Sequence, residues 1–316
     1  MLYIAESELI WRHGDAAAPG DVAHTHTLLD GTLKAIAPMT SDNTNPAGGI
    51  NSGAEDMAKW VLTLLDSGKV GDGNRLYQPR TARRLQEPVT PMPNGMPPAA
   101  IAPLASDFRF YALGLDVSTF RGRKILHHTG GLPGYLSSVA WIPSERAGVV
   151  VLTNDESATF LALTWTLMDR VLRTAQPFDF IAGYDSLRAR QQVALIDAAR
   201  QAQASRDSLS RPSLALAKYA GAYEDAWYGD IDIAQDNGGL AIRFSHSPQL
   251  VGDMIPWQHD TFLVRWRDRE LRADAYITFM LTPDGAIDHA KMVPASPEVD
   301  FSFDFQDLEL RPKGRR

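Results

Sequence analysis

The chain reads as an α+β protein: an antiparallel sheet flanked by helices, followed by a small antiparallel β-barrel-like domain. Three observations carry this reading. Between Phe108 and Asn154, β-rich runs are joined by tight turns, the mark of antiparallel hairpins. Helical periodicity stands on both sides of that meander. Beyond Pro212, after a polar, helix-prone stretch, short runs alternating apolar and polar return. The expected organisation is a first domain over 1–180, a helical linker over 181–212 and a barrel-like domain over 213–316.

Residues 1 to about 50 are turn-rich and weakly patterned. A helix follows: Met57, Trp60, Val61, Leu64 and Leu65 share one face, Ser52 and Glu55 have capping-box spacing, and Gly68 is a natural stop. The proline-rich stretch 88–105 reads as a loop. The meander then runs "FRFYALGLDVSTF", the turn "RGR", "KILHH", "SSVAWIP", the turn "SERAG" and "VVVLTN". Asn154 or Asp155 can cap the next helix, whose face is Phe160, Leu161, Trp165, Met168 and Leu172 and which ends before Pro177. Such a helix should cover one face of the sheet. Residues 185–210 form a linking helix. "DIDIA", "LAIRF", "DTFLVRW", "AYITFML" and "DFSFDF" are the strands of the last domain, with turns at "QDNGG" and "TPDG".

Composition narrows the function. Hydrophobic residues at 44% and charged residues at 22% suit a globular chain with a sizeable core. A net charge of -7 with mixed signs argues against nucleic acid as a partner. The absence of cysteine rules out disulfide and thiolate chemistry. No apolar run approaches the ~20 residues of a membrane span, and the N-terminus has acidic residues where a signal peptide is apolar. The compartment stays open.

The segment "HHTGGLPGY", His127 to Tyr135, carries the chemistry. Together with "NPAGGINSGAEDMAKWVLTLL" and "YALGLDVSTF…VVVLTN" it resembles the β-lactamase-related serine hydrolases, the penicillin-binding-protein-like group of class C β-lactamases, D-aminopeptidases and esterases. The resemblance covers roughly 20–175, and the last hundred residues look like the small barrel that trails this hydrolase domain. It implies a site of three parts: a Ser-x-x-Lys nucleophile and base, a Tyr-x-Asn acid/base, and a Lys-Thr-Gly or His-Thr-Gly wall. The wall here is His128-Thr129-Gly130. By resemblance His128 faces the cleft and supports proton transfer or substrate orientation. Thr129 and Gly130 contact the substrate, and the N–H of Gly131 donates to the oxyanion. No Ser-x-x-Lys or Tyr-x-Asn occurs in the 316 residues. The expectation is therefore an incomplete hydrolase domain over 1–180, lacking the N-terminal segment with the nucleophile and inactive alone. Complete relatives are usually exported.

Other motifs have plainer readings. Ser41-Asp42-Asn43 resembles a β-lactamase tripeptide but lies in the wrong place, and reads as an Asx turn. His24, His26 and the His127–His128 pair have no further ligand at metal spacing, so neither metal nor other cofactor is expected. His127 and His128 point to opposite faces of a strand, which leaves His127 structural. Gly48 and Gly49 shape the backbone. Two functions stay open: a serine hydrolase acting on an ester, amide or β-lactam, with a small molecule or peptide as substrate and the missing segment as partner, or a non-catalytic module binding a ligand or peptide.

Overall fold

A computed structural model of the protein describes residues 8–9, 22–29, 31–39, 45–71 and 73–314. The Ser41-Asp42-Asn43 turn lies outside them. The chain divides into two compact units, Met1–Arg190 and Gln191–Arg316.

The first unit is built on a six-stranded antiparallel meander in sequential order: β1 (Thr90–Pro91), β2 (Arg109–Tyr111), β3 (Asp116–Phe120), β4 (Arg123–Leu132), β5 (Tyr135–Ile142) and β6 (Ala147–Thr153). The stretch 88–105 is thus more than a loop. It supplies edge strand β1, where Pro91 lacks only an N–H that an edge can spare, and a 3-10 turn over Ala99–Leu104.

Both faces of this sheet are apolar, and strand alternation divides them. Ile125, Ala140, Ile142, Val149 and Val151 pack with Phe160, Trp165 and Met168 of α2 (Thr159–Val171). Leu126, Val117 and Trp141 pack with Val61 and Leu64 of α1 (Ala54–Leu65). Neighbouring residues on one strand therefore serve opposite cores. The polar Arg121, in the turn between β3 and β4, ties that turn to buried Asp169 of α2 through two bonds of 2.9 and 2.7 Å.

Both expected helix caps are corrected. Helix α1 starts at Ala54 with Gly53 as N-cap, so Ser52 sits one residue too early. The helix ends at Leu65 with Asp66 as C-cap; the chain turns left-handed at Ser67 (φ +55) and Gly68 (φ +88), and Gly68 N–H closes the turn by donating to Thr63 C=O at 2.8 Å. Helix α2 has Ala158 at its N-cap. Asn154 instead donates to His24 C=O at 2.9 Å, and Asp155 accepts from Ser157 N–H. Helix α3 is long, Phe180–Ser205, and is mostly exposed beyond its first turn.

The second unit holds a closed eight-stranded antiparallel barrel: β7 (Gly221–Asp225), β8 (Gly229–Asp236), β9 (Gly239–Phe244), β10 (Ser247–Gln258), β11 (Thr261–Trp266), β12 (Ala275–Leu281), β13 (Ile287–Pro294) and β14 (Glu309–Pro312). Closure comes from β14 pairing with both β13 and β7. The interior is filled by Ile231, Ile242, Phe262, Trp266, Phe279 and their neighbours. The expected strand "DFSFDF" is instead two 3-10 turns, Phe301–Phe303 and Phe305–Asp307, with Asp304 left-handed between them. Its alternation has another cause: Phe305 is driven into the barrel core, where it stacks on Trp266 at 5.9 Å.

Buried Asp225 fastens the barrel's seam. Its carboxylate accepts the N–H groups of Trp227, Tyr228 and Glu309 at 2.8–2.9 Å. Burial alone raises its pKa, but the three N–H donors outweigh that and hold it below the ordinary carboxylate value. A fragment of residues 205–316 should therefore unfold in one cooperative thermal transition; a broad, non-cooperative melt would show that the barrel needs the first unit. In that fragment Asp225→Asn should lower stability by about 1–3 kcal/mol at neutral pH. A depressed folded pKa stabilises above the unfolded value of about 3.9 and loses that contribution as pH falls through the folded one. The gap between variant and wild type, read from urea midpoints, should close on acidification.

Candidate active site

The site region is the end of β4. Its register with β3 stops at His127↔Asp116, whereas its register with β5 continues to Leu132↔Tyr135. Among the described residues, the five at His128–Leu132 thus have a sheet neighbour on one side only. The hairpin closes through two residues, Pro133 and Gly134, with Gly134 at φ +78. In such a hairpin the flanking pair Leu132 and Tyr135 exchange both backbone bonds. By alternation Gly130 and His128 also turn their N–H groups to β5. Thr129 and Gly131 turn theirs to the open side, and no other described residue accepts from them.

The hairpin tip is braced. Gly134 N–H donates to a Glu156 carboxylate oxygen at 2.7 Å, and the Tyr135 hydroxyl donates to Ala23 C=O. Only a glycine fits at 134: a Cβ there would come within 2.4 Å of Thr25 Cβ. His26 is part of the same brace, its Nδ1 3.3 Å from the Asn154 side chain and from Asn154 C=O. Among the described residues no three His, Cys, Asp or Glu side chains form a metal-holding group.

His128, Thr129, Gly130 and Gly131 are all exposed along this overrun. Gly130 has the Ser137 hydroxyl where its Cβ would lie, at 2.5 Å, so a serine from the paired strand covers its bare Cα. Gly48, in the helical turn Asn45–Gly48, lies against Leu132, with 3.1 Å between its would-be Cβ and Leu132 Cδ2. The "NPAGG" and "HTGGL" segments, some eighty positions apart in sequence, therefore meet in space.

The two histidines separate as strand alternation predicts. His127 lies on the α2 face, its ring edge-on to Trp165 at 5.7 Å and its Nε2 3.4 Å from Ser118 Oγ. Burial lowers its pKa, the charges of Arg109 and His128 lower it further, and Asp116 opposes them. Ser118, His127 and Asp116 have the residue types of a triad but not its geometry. Ser118 is 8% exposed, and the Asp116 carboxylate is taken by Arg109 at 3.1 and 3.3 Å. His128 meets a residue that sequence reasoning passed over: the Tyr111 hydroxyl lies 3.2 Å from its Nε2. Nothing in the pattern announces this contact, because it reaches across the start of β3 from another strand.

Comparison with known proteins agrees on the family. The beta-lactamase family profile matches residues 9–173, just over half of the chain, and a domain of unknown function (DUF3471) matches residues 205–312. An unguisins hydrolase of Aspergillus campestris (strain IBT 28561) is 27% identical over 86% of this chain and 51% of its own length. A second, from Aspergillus violaceofuscus (strain CBS 115571), is 28% identical over 67% of this chain and 40% of its own. The chain thus spans about half the length of the curated relatives it matches. Among solved structures, the octameric penicillin-binding protein homologue from Pyrococcus abyssi aligns with 97% of this chain and 56% of that chain at a TM-score of 0.39 and 16% identity. A D-stereospecific amidohydrolase from Streptomyces sp. aligns with 48% of this chain and 40% of that chain at a TM-score of 0.35 and 13% identity.

The face assignment has a thermodynamic consequence. His127→Ala removes a half-buried ring from Trp165 and should destabilise by about 1–3 kcal/mol, whereas exposed His128→Ala should stay within about 0.5 kcal/mol of wild type. Denaturant midpoints of the two variants measure this. Equal losses would contradict the division of faces.

Proposed function

Because this chain belongs to the beta-lactamase family, we propose that it supplies the strand wall of a serine hydrolase site. The site cleaves an ester, amide or β-lactam bond through an acyl-serine intermediate, with the nucleophile coming from outside these 316 residues. The observation that carries the reading is the open edge of β4, where the N–H groups of Thr129 and Gly131 have no partner among the described residues and stand beside exposed His128.

The chemistry follows from that geometry. Attack of a serine oxygen on a carbonyl leaves charge on the carbonyl oxygen. An N–H held by a rigid strand stabilises that charge without reorganising. Gly131 N–H is such a donor. Gly131 carries no side chain of its own to hold a substrate off the backbone, while at Gly130 the Ser137 hydroxyl fills that place. Thr129 offers its hydroxyl to the substrate's polar end, and His128 holds a donor or acceptor at the same edge, to orient substrate or move a proton. The nucleophile is placed outside because no Ser-x-x-Lys occurs in the sequence and because Ser118, beside His127, is buried. That same lack favours a second reading, in which the edge binds a peptide or small ligand without chemistry. The names of the two fungal relatives make an unguisin the first substrate to assay.

The test uses two preparations. The 316-residue chain alone should take no covalent label from a fluorophosphonate probe. Joined to a Ser-x-x-Lys-bearing segment of a family relative, it should label at that serine and turn over substrate. In the joined protein His128→Ala should lower kcat/KM by about 10²-fold. A label on a serine of the chain itself would overturn the placement of the nucleophile. An unlabelled joined protein that still binds ligand would favour the binding module.

A further inference from the structure

We propose that Tyr111 is a positioning residue for His128: its hydroxyl donates to Nε2, holds the neutral ring in the Nδ1–H tautomer, and leaves that N–H as the group His128 offers to the cleft. The inference rests on the reading of His128 as a cleft residue, and it goes beyond that reading by naming which ring atom faces the substrate.

The geometry is specific. Tyr111 Oη lies 3.2 Å from His128 Nε2, with the rings 6.3 Å apart and tilted by 58°. Tyr111 is the last residue of β2 and stands in one cross-strand row with Asp116 and His127. From the end of that row its hydroxyl reaches the first residue of the overrun. The turn that follows is fixed by Ala112 N–H donating to Leu115 C=O at 2.7 Å, with Gly114 at φ +82. The nearest carboxylate in the row does not compete for the imidazole, because Arg109 holds Asp116.

The direction of the bond follows from the partners. A phenol is a better donor than acceptor, since its lone pair is shared with the ring, and a neutral imidazole nitrogen is a strong acceptor. The tautomer of a histidine is set by the bond its other nitrogen makes. With Nε2 accepting, the proton sits on Nδ1. His128 then meets a substrate as a donor, suited to a carbonyl or carboxylate oxygen.

Long-range proton–nitrogen correlation spectra of the full chain with ¹⁵N-labelled histidine, at a pH of about 8 where imidazole is neutral, read this directly. His128→Gln assigns the signals. His128 should show a protonated Nδ1 and a bare Nε2. In Tyr111→Phe, which keeps the ring, His128 should lose that signature and move toward the Nε2–H form that an unconstrained imidazole prefers. A wild-type His128 in the Nε2–H form overturns the proposal, whether or not the variant folds. So does a folded Tyr111→Phe protein with an unchanged tautomer. Neither result depends on catalysis, so a joined protein that takes no label, beside a His128 in the Nδ1–H form, would count against the proposed function and leave this inference standing.

Discussion

Strand β4 outruns its neighbour. It shares its first five residues with β3 and its last five only with β5, and the candidate site is a consequence of that mismatch. Over its first five residues β4 is paired on both sides. At His128–Leu132 every second N–H has no partner among the described residues, and an unpaired strand edge is a demand for hydrogen bonds. Such an edge is normally a hazard. Here it is short, carries two glycines, and ends in a hairpin whose tip is held by Glu156 and by the segment around Ala23–His26. The bracing keeps the donors pointing in one direction, and fixed direction is what a site for a developing negative charge needs.

The rest of the first unit explains why the site is at this end. The sheet is buried on both faces, with α2 over the side of Ile125 and α1 over the side of Leu126. Polar chemistry cannot be placed mid-strand in such a sheet without burying an unpaired group. His127 shows the limit: it is the last β4 residue under that cover, it packs on Trp165, and burial biases it toward the neutral form. One residue further the cover ends and His128 is exposed. Strand alternation and the end of the helical cover together divide the structural from the candidate functional histidine.

Much of this was legible in the sequence, and for physical reasons. The 3.6-residue period located α1 and α2, and the turns "RGR" and "SERAG" marked two hairpins of the meander. The period of two separated His127 from His128 without any coordinates. What failed depended on contacts distant in sequence or on single-residue geometry. Ser52 has the right chemistry for a cap but stands one residue outside the N-cap position. "DFSFDF" alternates like a strand, yet the pull of the barrel core on Phe305 outweighs the pattern. The overrun of β4 is a difference between two registers, and no local pattern encodes a difference. Tyr111 was missed for the same reason: its partner stands on β4, two strands away in the sheet.

The site depends on Thr129 and Gly131 presenting free N–H groups, and amide hydrogen exchange measured residue by residue tests that most directly. Along β4 the amides of Ile125 and His127, which face β3, and those of His128, Gly130 and Leu132, which face β5, should be protected, while Thr129 and Gly131 should exchange orders of magnitude faster. The alternation is the signature, since fraying of the hairpin end would speed all five amides together. Thr129 and Gly131 protected as well as His128 and Gly130 would mean that the edge is already occupied, and the site as described would not exist.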